Sequence, residues 1–140
     1  MQRTAHLRAV HVAGAALAAS AVAGGVWWLR AFDPNQAGSP FLPCLFNAFT
    51  GLYCPGCGAT RALHALVHFD LPAALGMNAL LVLLIPLMPM LVLWSRGWRP
   101  AAIAPLMRIV EKPVTWLVVI PAFALVRNLP WLPFAWLAPG

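Results

Sequence analysis

Cys54-Pro55-Gly56-Cys57 is followed by Gly58, Arg61, His64 and His68, with a third cysteine upstream at Cys44. A Cys-x-x-Cys turn can bite a zinc ion, and Cys44 with His64 or His68 would complete a tetrahedral Cys3His set. Zinc is therefore the candidate cofactor, with Cys44, Cys54, Cys57 and His64 as candidate ligands. The same spacing at a helix amino terminus supports thiol-disulfide exchange at Cys54 and Cys57, because the helix dipole and a nearby Arg61 favour the thiolate. A third use is structural, a disulfide from Cys44 to Cys54 or Cys57 that clamps a loop to a helix. Three cysteines allow one internal disulfide at most and leave one thiol over. The structural use comes first, since no second Cys-x-x-Cys supports zinc and no thioredoxin-like strand pattern supports redox chemistry. No nucleophile-base-acid triad, carboxylate pair, phosphate-cradling glycine loop or dinucleotide fingerprint is present. Cys54 and Cys57 are thus the catalytic candidates, and a non-catalytic protein is the leading expectation.

The helix after the turn must position these groups. If it starts near Cys57, an advance of about 100° per residue puts Cys57, Arg61, His64 and His68 in one narrow arc, with Ala59, Leu63 and Leu66 opposite. A helix of that kind lies in a membrane interface or plugs a cavity between spans. Asp70-Leu71-Pro72 then reads as a helix start, with Asp as the cap and Pro in the first turn, and that helix runs on through Asn78.

Composition places all of this in a membrane. Of 140 residues 62% are hydrophobic and 9% charged, where a soluble domain carries about 25% charged residues. The expected fold is an all-α membrane protein, a single domain over residues 1–140. It has about three transmembrane helices near 9–29, 76–95 and 114–130, and a cysteine-containing loop with a short interfacial or re-entrant helix over 33–70. Basic residues before an apolar stretch also suit a secretory signal peptide, but the run continues to Trp27-Trp28, as an aromatic belt does. Residues 114–126 are short for a full crossing, so the Trp- and Pro-rich stretch 129–137 is expected to finish the third span.

The net charge of +6 comes from basic residues dispersed between apolar runs. Nucleic acid, which wants a dense basic stripe, is excluded as a partner. Arg3 and Arg8 precede the first span, and Arg96, Arg99, Arg108 and Lys112 face one acid, Glu111, after the second. The positive-inside rule puts these segments in the cytoplasm, and the cysteine loop and carboxyl terminus outside. Arg127 and Asn128 then fall at the same membrane level as Cys44, Cys54, Cys57, Arg61, His64, His68, Asp70 and Asn78. Polar groups at membrane depth face a bundle or a watery cavity, so an outer polar pocket is expected. Arginines there suit an anionic lipid headgroup, which makes the bilayer and an anionic lipid or membrane protein the expected partners.

Pro43-Cys44, Thr50 to Ala62 with its Cys-Pro-x-Cys-Gly-x-Thr-Arg core, Asp70, Ala74, Asn78 and Arg127-Asn128 together resemble the domain-of-unknown-function 2752 family. The resemblance covers roughly residues 40–130 and implies a small multi-pass protein of the bacterial inner membrane, without a known reaction. One departure is His68-Phe69, where the family pattern has a glycine next to the acid.

Overall fold

A computed structural model describes residues 2–36 and 38–130. Six helices follow one another: α1 (Gln2–Ala31), α2 (Leu45–Thr50), α3 (Ala59–Val67), α4 (Leu71–Ser95), α5 (Ala104–Val110) and α6 (Pro113–Val126). Among the described residues there is no strand. Two helical stretches, Arg8–Ala31 and Leu71–Ser95, are long and apolar enough to cross a membrane. The α5–α6 pair is bent by 78° and makes a third span only if the two count as one broken helix. Alone, the 14 residues of α6 extend about 21 Å, short of a hydrocarbon core of about 30 Å. Of residues 129–137, expected to complete that span, 129 and 130 are not helical and 131–137 lie outside the described part.

The segment 9–29 holds neither charge nor proline, so nothing interrupts the backbone bonds of α1. From Arg8 to Ala31 only Val26 and Leu29 are even half-buried, which suits a lipid-facing helix. Its carboxyl-terminal end is tied to α3: Arg30 donates through Nε and Nη2 to the Val67 carbonyl at 3.1 and 2.9 Å, and His64 Nδ1 lies 2.6 Å from the Leu29 carbonyl. Ala62 on α3 and Ala74 on α4 are both fully buried. Side chains this small let neighbouring helices approach closely.

The α3–α4 junction turns without the glycine that the resemblance implies beside the acid. The Phe69 N–H donates to Leu66 O and the Asp70 N–H to Ala65 O, the paired bonds of a Schellman ending, which puts its αL residue at Phe69. Phe69 has φ +62, a region that costs a side-chain-bearing residue about 1–2 kcal/mol. Asp70 then caps α4, its Oδ1 accepting from the Ala73 N–H at 3.0 Å. Phe69 is 87% exposed and touches little beyond the Arg30 guanidinium, 6.0 Å from its ring centre. Phe69→Gly is therefore expected to stabilise the protein by about 1 kcal/mol. A thermal-unfolding midpoint in detergent that fell would show that the Arg30 contact outweighs backbone strain.

α4 continues through Pro86 and Pro89, and its non-helical break lies at Asn78, with φ −160 and ψ 87. The Leu81 N–H, which in a regular helix reaches Met77 O, donates to Asn78 Oδ1 at 3.0 Å. At the far end of α4, Trp94 Nε1 donates to Glu111 Oε2 at 2.9 Å, and Trp116 Nε1 donates to Val110 O at 2.8 Å. The first bond holds the α5–α6 corner against the end of α4, and the second braces the corner itself.

Candidate thiol centre

The cysteines come from two stretches. Cys44 precedes α2, which closes at Gly51 with φ +71, and Cys54 and Cys57 sit on the turn before α3. In that turn the Cys57 N–H donates to Cys54 O at 3.1 Å and the Cys54 N–H to Cys57 Sγ at 3.1 Å. Gly58 joins the turn to α3 at φ +76, a conformation glycine adopts without penalty.

The Sγ atoms of Cys44, Cys54 and Cys57 all lie within 4.8 Å of one another. Cys54 is central, with its sulphur 3.4 Å from that of Cys44 and 3.1 Å from that of Cys57. All three are free thiols, and the expected disulfide from Cys44 to Cys54 or Cys57 is not formed. The thiols differ in acidity. The Asn47 backbone N–H beside it, followed by the other two thiols, holds Cys44 down to about 7. Burial, followed by the same neighbours, pushes Cys57 up to about 12.

Beneath the turn lies a buried scaffold of polar side chains. Arg127, at the end of α6, is 1% exposed. Its Nη1 donates to Cys54 O and Cys57 O, both at 3.0 Å, and its Nη2 donates to Met77 O at 3.1 Å. Its guanidinium also stands 5.1 Å from the Phe123 ring centre and 5.7 Å from that of Tyr53. No carboxylate pairs with it among the described residues. Asn128 pairs with the Tyr53 backbone, accepting from its N–H and donating to its carbonyl, both at 2.8 Å. Asn78 Nδ2 donates to Pro55 O at 2.9 Å and to Cys57 O at 3.1 Å. Three side chains, one from α4 and two from just past the end of α6, thus bond to the backbone of Tyr53, Cys54, Pro55 and Cys57.

The expected fourth zinc ligand is elsewhere. His64 Nδ1 is engaged by the Leu29 carbonyl, and its Nε2 lies 3.8 Å from Asp33 Oδ1. The His68 ring lies 4.6 Å from that of His64, tilted by 52°. Among the described residues, the group that could hold a metal ion comprises Cys44, Cys54 and Cys57. The assumed arc fails because helical geometry starts at Ala59, and the left-handed Gly58 before it takes Cys57 out of phase with His64. Asp70 is a helix cap and belongs to the α3–α4 junction. Arg61, by contrast, lines a cavity of about 710 Å3 together with Cys44, Cys54 and Cys57. Pattern reading passed over Tyr53 and the Met77 carbonyl. Their roles are played by backbone groups, which leave no mark on residue type.

Comparison with known families decides one point. Residues 44–92 match the family described as protein of unknown function (DUF2752). Those residues belong to it. The DUF2752 segment runs from the first cysteine into α4 and so takes in all three thiols, Arg61 and Asn78, while Arg127 and Asn128 lie beyond it. No curated protein and no solved structure matches the chain.

Proposed function

We propose that this membrane protein holds one thiophilic metal ion, zinc first, between Cys44, Cys54 and Cys57, in a non-catalytic role. The observation that carries the reading is the convergence of three sulphurs within 4.8 Å. Thiolate sets select soft or borderline ions such as Zn(II) and Cu(I). Charge supports it as well. Three thiolates around a divalent ion leave one net negative charge, and the buried Arg127, bonded to the same turn, supplies the opposite one. A buried cation is costly unless compensated. Three protein ligands leave a fourth position for an outside group. The cavity that the cysteines share with Arg61 gives such a group access, and a guanidinium there favours an anion, such as a lipid headgroup or a partner's carboxylate. On the positive-inside argument the centre faces outward across a bacterial inner membrane.

One observation favours a second reading. Because Cys54 lies close to both other sulphurs, it can bond to either, the arrangement that thiol-disulfide exchange requires. Metal content and free thiols, measured together on detergent-purified protein under reducing conditions, separate the two. The metal reading expects one zinc per chain, displaced by cobalt with the absorption of a tetrahedral thiolate site. A metal-free protein that keeps one disulfide and one free thiol at micromolar zinc would overturn it in favour of exchange.

A further inference from the structure

A second cavity lies at the other end of the helical bundle, away from the thiols. It is about 490 Å3 in volume, and Trp94, Arg99, Ala104, Arg108 and Glu111 line it. Trp94 is buried at 6% exposure and fixed by its indole bond to Glu111. That bond occupies Oε2 of the one acid in the cavity wall. The Arg99 guanidinium stands 5.4 Å from the Trp94 ring centre, so a cation is held over an ordered aromatic face. Arg108 comes from the last turn of α5. Arg96 and Lys112 lie outside the cavity lining but in the same connection, which carries four basic residues against Glu111.

Around these charges the surface is apolar. Trp98, Leu106 and Ile109 are 52%, 50% and 56% exposed, while Met107 and Val110 of α5 are buried. α5 is bent by 78° from α6. If α6 enters the bilayer, α5 lies along the membrane surface, with Leu106 and Ile109 available to acyl chains. Basic pockets between membrane helices take phosphate headgroups, and guanidinium binds phosphate bidentately.

We infer that the Trp94–Arg99–Arg108 cavity is a binding site for the phosphate of an anionic phospholipid, with its acyl chains against α5. The inference is independent of the metal reading, since none of these residues touches the thiol centre. Native mass spectrometry of the full chain in detergent, titrated with phosphatidylglycerol or with phosphatidylcholine of the same acyl chains, tests it. A basic residue near an anionic headgroup contributes on the order of fivefold in affinity. Wild type is expected to prefer phosphatidylglycerol by at least about tenfold. Arg99→Gln/Arg108→Gln should abolish that preference, while the charge-matched Arg96→Gln/Lys112→Gln should keep most of it. The exposed Arg108→Gln alone should cost about fivefold, which keeps the test decisive if the cavity double variant folds poorly. Equal losses in both double variants would overturn the site in favour of diffuse surface charge. Displacement of the lipid by millimolar inorganic phosphate would overturn it in favour of a free-anion site.

Discussion

Cys54→Ser is expected to lower zinc affinity by roughly two to four orders of magnitude. Structural zinc sites bind with about 10–16 kcal/mol, so each of three protein ligands accounts for about 3–5 kcal/mol. Serine replaces a soft thiolate with a hydroxyl that stays protonated, and it does so at the sulphur standing 3.4 and 3.1 Å from the other two. Competition against a chromophoric chelator in detergent measures the change directly. Thr60→Val, in the wall of the same cavity, should bind zinc as wild type does. If Cys54→Ser took up zinc with unchanged affinity, the three-thiolate site would be excluded.

Arg127→Met is expected to destabilise the fold by about 3 kcal/mol, the second largest effect. The substitution keeps the apolar stem and removes donors to three carbonyls. Those carbonyls are not equally exposed to the loss. Cys54 O retains the Cys57 N–H and Cys57 O retains Asn78 Nδ2, but Met77 O lies where the Leu81 N–H has turned to Asn78 Oδ1. A buried group left without its partner costs about 1–3 kcal/mol, and bonds to a charged donor lie at the upper end. Arg127→Lys should recover less than half of the loss, because an ammonium lacks the planar fork that reaches the cysteine turn and α4 at once. Thermal unfolding in detergent should show a drop of roughly 10 °C for Arg127→Met. A midpoint within a degree of wild type would mean that the turn is held by Asn78 and Asn128 alone.

Helical class and the two long spans were legible because long charge-free runs can satisfy their backbone only as helices in a bilayer. The place of Arg127 and Asn128 near the cysteine turn was expected from charge topology, which put both at one membrane level without saying what they touch. Their partners, the carbonyls of Cys54, Cys57 and Met77 and both backbone groups of Tyr53, carry no sequence signature. The helical arc misled for an identifiable reason. It extended helical phase back through Gly58, whose positive φ resets the direction of the chain, and so enlisted His64, which bonds to the end of α1 instead. α4 carries Pro86 and Pro89 within it, yet its break lies at Asn78, since a side chain competing for a backbone N–H breaks the ladder as effectively as a missing donor. Leu45–Thr50 offered no readable period, and six residues are too few to show one.

The bonds that hold the cysteine turn from α6 join residues 70 to 75 positions apart. During biosynthesis, therefore, α1 to α4 leave the ribosome before the guanidinium that binds the Cys54 and Cys57 carbonyls exists. Among the described side chains that bond to the turn's backbone from α4 and α6, Asn78 alone is present until α6 has been synthesised. That interval is when its thiols are most open to oxidation, so the state of this centre is a matter of the order of assembly as much as of the finished geometry.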